Sequence, residues 1–232
     1  MRLPPRAVVA AALTLVALPA VAGRPFATED AGVLEPGECE LESFYARATA
    51  RDTPRETGWW LQPGCGIGVR TQLAVGAGMT RVEGESTRAV AVAGKTYLRP
   101  LTDDQWGLTV AYQLGMARPP GESFEHDLTE VRAVVTVPLG QTLVHANVGW
   151  NRAQVDRIDS TLWAVAIERP LLKALDVGAE AYGDDRTAAW LGVGARYAVV
   201  ADKFFVDASY AVQTNSARAR LLTIGIKLEF GF

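Results

Sequence analysis

Apolar and polar residues alternate singly along most of this chain. In residues 105–117, QWGLTVAYQLGMA, one parity carries Trp106, Leu108, Val110, Tyr112, Leu114 and Met116, and the other carries Gln105, Gly107, Thr109, Ala111, Gln113, Gly115 and Ala117. Successive side chains of a β-strand point to opposite faces, so this period of two predicts a strand. The same pattern predicts strands over 38–48, 58–70, 72–83, 87–99, 105–117, 128–138, 141–152, 160–169, 173–183, 187–199, 203–214 and 218–232. Turn chemistry such as Thr53-Pro54, Arg118-Pro119-Pro120-Gly121, Pro138-Leu139-Gly140, Gly183-Asp184-Asp185 and Thr214-Asn215-Ser216 bounds them. Helical periodicity is almost absent.

Alternation alone suits a soluble sandwich or a lipocalin-like barrel as well as a membrane barrel. The placing of aromatic residues separates them. Tyr45, Trp59, Trp150, Trp163 and Tyr210 fall near one end of their strands; Trp106, Tyr197, Phe204, Phe230 and Phe232 fall near the other, with Val, Leu, Ile and Ala between. Two aromatic girdles around an aliphatic band are what two water–lipid interfaces select. Strands of about eleven residues tilted near 45° cover roughly 25 Å, the height of an outer-membrane barrel's apolar band. The connections near 49–57, 84–86, 118–127, 153–159, 184–186 and 215–217 include the long ones, and those at 71, 100–104, 139–140, 170–172 and 200–202 are all short. Short turns mark the periplasmic side. An even strand count puts both termini there.

The prediction is therefore an all-β chain, a transmembrane antiparallel up-and-down barrel of about 12 strands, following a cleaved signal peptide. Arg2 and Arg6 precede an apolar run from Ala7 to Ala22 that ends in Ala20-Val21-Ala22, the three-part pattern of a secretory signal over 1–22. Residues 23–37 form a periplasmic N-terminal lead-in and 38–232 the barrel. The location expected is the outer membrane of a Gram-negative bacterium. Without the two signal arginines the chain has 21 basic and 26 acidic residues, which gives no footprint for nucleic acid. The expected partners are the outer-membrane bilayer and its assembly machinery, with the barrel a monomer.

A hairpin turning near Asp52 sets Cys39 opposite Cys65, Leu41 opposite Pro63 and Tyr45 opposite Trp59. An exported chain with its only two cysteines on one cross-strand pair is expected to form the Cys39–Cys65 disulfide. Pro63 cannot donate to a ladder, so a bulge or broken pairing is expected near it.

The faces opposite the aliphatic ones carry charge. By parity Lys95, Arg99, Glu130, Arg132, His145, Asn147, Glu168, Asp176, Glu180, Arg196, Asp207, Lys227 and Glu229 point into the lumen. Such residues either line a pore and select solutes or pair with one another and fill it. Glu130 beside Arg132, and Lys227 beside Glu229, favour pairing.

The final TIGIKLEFGF ends on Phe232, with Phe230 before it, and resembles the C-terminal sorting signal of outer-membrane barrels. Ala27-Thr28-Glu29-Asp30-Ala31-Gly32, Glu35-Pro36-Gly37 and Glu40-Leu41-Glu42 resemble the start of a family of outer-membrane barrels proposed as transporters, including the meta-pathway of phenol degradation proteins. The resemblance implies a barrel that passes small, including hydrophobic, molecules and brings no binding residues with it. The expected function is a passive channel or transporter for small molecules; the alternative is a closed structural or partner-binding barrel with a plugged lumen.

A barrel enzyme is the third reading. A lipid hydrolase needs a His activating a Ser, but the strand of His145 carries no Ser. An omptin-like protease needs acidic and His–Asp pairs at the outer rim, where His126-Asp127 and Asp184-Asp185 fall in predicted external loops; the short loops and ordinary turn chemistry argue against it. GCGIG at 64–68 lacks the following helix of a dinucleotide site, and glycine on an inward face leaves room in the lumen. Two histidines with no Cys/His cluster give no metal site. No catalytic residue and no cofactor is expected.

Overall fold

The computed structural model describes residues 26–231. The signal peptide predicted over 1–22 and Phe232 lie outside them. Twelve antiparallel strands follow one another: β1 (Glu38–Thr49), β2 (Glu56–Gly68), β3 (Thr71–Val82), β4 (Glu85–Arg99), β5 (Gly107–Arg118), β6 (Glu125–Leu139), β7 (Thr142–Ala153), β8 (Ile158–Leu172), β9 (Leu175–Asp184), β10 (Trp190–Val200), β11 (Phe204–Gln213) and β12 (Arg220–Gly231). Each pairs with its chain neighbours, and β12 closes onto β1 from Glu38↔Gly231 to Thr49↔Arg220. Closure removes the unpaired edges that a strand cannot expose to lipid.

Alternation decides the two faces. In β5, Thr109, Ala111, Gln113, Gly115 and Ala117 are buried inside the barrel while Leu114 and Met116 stand exposed outside. Val75, Val92, Val148, Val165, Leu191, Val193 and Ile224 are likewise exposed around the outer wall. Tyr45, Trp59, Trp150, Trp163 and Tyr210 ring one end of that wall, and Trp106, Tyr197 and Phe230 the other. An aliphatic belt this continuous, bounded by aromatic rings, faces lipid.

The β1–β2 register pairs Cys39 with Cys65, Leu41 with Pro63 and Tyr45 with Trp59, and the Cys39–Cys65 disulfide is formed. On its other edge β2 pairs Leu61 with Ala77 and resumes at Gly64 with Ala74, leaving Gln62 and Pro63 off the ladder. The bond closes a loop with a sequence separation of 26. By loop-closure entropy, replacing both cysteines by serine should lower stability by about 3 kcal/mol, read as a lower urea midpoint for loss of heat-modifiable gel mobility.

Two boundaries differ from the reading of the sequence. The β4–β5 connection occupies 100–106, as long as any at the opposite end. It is held by the Thr102–Gln105 bridge, by Arg99 Nε donating to the Trp106 carbonyl at 3.0 Å, and by the Arg99 guanidinium 4.5 Å from the Trp106 ring centre. And β6 begins at Glu125, so His126 and Asp127 sit on a strand end and not in an external loop, because pairing of Met116 with His126 and of Ala117 with Glu125 extends the ladder past a register shift.

Candidate functional site in the barrel lumen

The segment before β1 runs inside the barrel. Starting at Phe26 it crosses the inner wall from β9 towards β2 as a strap that bends at 26–28 and at Ala31. A buried backbone without a sheet neighbour must find other partners for its N–H and C=O groups, and inward side chains of successive strands supply them. Glu180 of β9 accepts the amides of Ala27 and Thr28 and the Thr28 hydroxyl, at 2.8–3.1 Å. Asn147 of β7 accepts the Glu29 amide at 2.7 Å and donates to the Glu29 carbonyl at 3.0 Å. Thr136 of β6 accepts the Ala31 amide at 2.8 Å, and Thr109 of β5 donates to the Ala31 carbonyl at 2.7 Å. Gln72 of β3 accepts the Leu34 amide at 2.8 Å, and Pro36 bridges to Gly66 of β2.

Two glycines let the strap reach the wall. A Cβ at Gly66 would collide with the carbonyls of Leu34 and Glu35, and one at Gly178 would lie 2.6 Å from Phe26 Cζ. Between these ends, Ala31 packs with Ala111 and Val134 in a fully buried cluster.

Lys95 on β4 meets the strap by charge: its ammonium lies 3.0 Å from Glu29 Oε2 and 3.7 Å from Asp30 Oδ1. Glu29 is completely buried. Burial pushes its carboxyl above the ordinary range, and the Lys95 charge opposes that push.

The thirteen residues expected in the lumen divide by what they touch. Lys95, Asn147 and Glu180 hold the strap directly, and His145 joins through its Nδ1, 2.9 Å from Thr136 Oγ1. Glu130 and Arg132 form their own buried pair. Lys227 bridges Glu40 at 2.8 Å and Glu229 at 2.9 Å beside the β12–β1 seam. Arg196 stands between Asp176 and Asp207 in the register and 5.9 Å from the Phe205 ring centre. Glu168 is half-buried. Arg99 belongs to the β4–β5 turn, bonded to Trp106 and Gln105, apart from the others.

Several residues that build the site carry no charge pattern to mark them. Thr28, Gln72, Thr109 and Thr136 are buried and bonded to or within the strap, yet in the sequence Thr28 reads as part of the lead-in and the other three as ordinary small or polar inward residues. Nearer the end opposite the termini, Ala46, Ala48, Trp190, Ala211, Ala219 and Leu221 form an inward apolar cluster, with Tyr182 stacked on Trp190 at 6.1 Å.

The rim groups weighed as an enzyme centre are occupied locally. Asp184 accepts from the Arg186 and Thr187 amides and the Thr187 hydroxyl, Asp185 accepts from the Thr161 amide, and His126 Nε2 lies 3.0 Å from Thr129 Oγ1. The Asp184 contacts cap a turn, the Asp185 contact ties that turn to Thr161 of β8, and the His126 contact lies within the end of β6. Among the described residues no cluster of three His, Cys, Asp or Glu side chains could hold a metal ion.

Similar folds are known. The COG4313 outer membrane channel from Pseudomonas putida F1 superposes with a TM-score of 0.61 at 11% identity, covering 87% of this chain and 98% of that one. The NanC porin gives 0.58 at 9%, covering 81% and 98%. Outer membrane phospholipase A from Escherichia coli gives 0.50 at 9%, covering 87% and 93%. At such identities the likeness is one of fold: the closed barrel of outer-membrane proteins. No curated protein matches by sequence. A family model matches residues 10–230, so the chain belongs to the family described as "Uncharacterised conserved protein UCP029691".

Proposed function

We propose that this protein is a passive outer-membrane channel for small molecules whose lumen is narrowed by its own N-terminal strap. The observation that carries the reading is the way the strap is held. From Ala27 to Leu34 it is bound to the wall by hydrogen bonds and by the Lys95 ammonium's contacts with Glu29 and Asp30, and water can replace the neutral bonds at a net cost of about 0.5–1.5 kcal/mol each. A permanent plug of this size would gain more from apolar packing. The fold shared with a channel and a porin supports the same reading. Charges of both signs on the inner wall favour small polar solutes. The hydrophobic solutes implied by the likeness of 27–42 to proposed transporters form the second class to test.

A closed barrel is the competing reading, and the inward apolar cluster around Trp190 and Leu221 favours it. Osmotic swelling of protein-loaded vesicles separates the two. A channel admits small sugars and amino acids, with rates falling steeply as solute size rises; vesicles that admit no solute, although the barrel is folded, overturn the channel.

A further inference from the structure

Five outward arginines cluster on one sector of the outer wall. At the end opposite the termini, Arg220 of β12, Arg47 of β1, Arg81 of β3, Arg88 of β4 and Arg118 of β5 occupy outward positions. Each stands two residues beyond a membrane-facing apolar side chain: Leu222, Tyr45, Met79, Val90 and Met116. That spacing sets the guanidinium groups at the height of the lipid headgroups, just past the aromatic ring. Arg47 and Arg81 both flank Thr57 in the register, so two strand spacings, about 10 Å, separate them.

Three features suit this face to an anionic partner. First, Arg88 is paired directly with Arg118 across β4 and β5; like charges set opposite each other destabilise a sheet unless something neutralises them. Second, none of the five arginines forms an ion pair among the described residues, although Asp52 and Glu83 lie in the adjoining turns; the pairs that form are elsewhere. Third, a cleft of 530 Å³ opens at the β12–β1 seam between 49–51 and 216–220, lined by Arg51, Arg218 and Arg220 together with Thr49 and Ser216. The Arg51 amide donates to the Ala217 carbonyl at 3.2 Å and joins its two walls. On the far side of the barrel the corresponding outward arginine, Arg152, is already neutralised by Asp159 at 3.1 Å.

We propose that the β12–β5 sector is a docking face for a phosphorylated glycolipid of the outer leaflet, its phosphates bridging the arginines and the seam cleft and its acyl chains lying on the apolar wall below. Guanidinium groups bind phosphate bidentately, and clustered basic residues at a membrane surface contribute about 1 kcal/mol each towards anionic headgroups.

The test measures retention of two-phosphate lipid A by the refolded full chain in phosphatidylcholine vesicles, with dephosphorylated lipid A and inorganic phosphate as parallel probes. The face predicts tight retention of the phosphorylated lipid, at least tenfold weaker retention of the dephosphorylated one, and no competition by inorganic phosphate at millimolar concentration. Arg47→Gln, Arg81→Gln and Arg88→Gln combined should weaken retention about a hundredfold, while Arg152→Gln leaves it unchanged. Heat-modifiable gel mobility verifies that each variant is folded. Equal retention of both lipids, full displacement by inorganic phosphate, or a loss in Arg152→Gln as large as in the triple variant would overturn the proposal. Should the triple variant not fold, Arg88→Gln alone, which relieves the Arg88–Arg118 opposition, is read in its place and must weaken retention.

Discussion

Replacing Lys95 by alanine is expected to release the strap while the barrel stays closed. Glu29 is completely buried and Lys95 nearly so, and their contact at 3.0 Å is the main compensation for two charges taken out of water. Removing one partner of a buried pair leaves the other unpaired, at about 3–5 kcal/mol. The strap's remaining anchors are neutral hydrogen bonds worth about 0.5–1.5 kcal/mol each, the bonds to the Glu180 carboxylate worth about 1.5–3 kcal/mol each, and the buried packing of Ala31, so a loss of that size is of the order of two or more anchors together. The twelve-strand ladder does not pass through this contact. Hydrogen exchange should therefore quicken at the amides of Thr28, Glu29, Ala31 and Leu34 and stay slow in the strands. Combining Glu29→Gln with Lys95→Met removes both charges and should restore much of the protection, since replacing a buried pair by neutral groups is often close to neutral. Unchanged exchange in Lys95→Ala would mean that the pair does not hold the strap.

The second large effect is expected on the outside. Val165 lies midway along β8, outward and 48% exposed. In a soluble protein Val165→Arg would be a surface change within about 0.5 kcal/mol. Facing lipid at mid-depth, it should cost about 2–4 kcal/mol, and Val199→Arg, outward near the end of β10, about 0–1 kcal/mol. Urea unfolding from vesicles reads the difference. Equal costs at both positions would contradict the lipid-facing wall.

Much of this architecture was legible in the sequence because a barrel strand obeys one rule throughout its length. Alternation in 105–117 assigned Leu114 outward and Gln113 inward, and the turn at Asp52 alone set the register that joins Cys39 to Cys65. Turns were harder. Trp106 reads by parity as part of a strand that begins at Gln105, yet the side chain of Arg99 binds its carbonyl and covers its ring, and holds it in the connection; nothing local announces a contact seven residues away. The strap was the least legible part. Ala27 to Gly32 has no period, being small and polar residues suited to an exposed lead-in. Its conformation depends on Glu180, Asn147, Thr136 and Lys95, which lie 65 or more residues away in the chain and reach it only once the barrel has closed. The inward charges were visible as charges, but parity cannot say whether such a residue lines a pore, pairs with a neighbour or grips a strap.

The most direct test of a strap-narrowed channel is single-channel conductance in a planar lipid bilayer, comparing the wild-type protein with Lys95→Ala. Small, steady openings are expected for the wild type and a several-fold larger conductance for the variant, with ion selectivity shifted towards cations by the loss of an inward positive charge. Identical conductances would place the strap outside the ion path, and silence from both folded proteins would contradict a channel altogether.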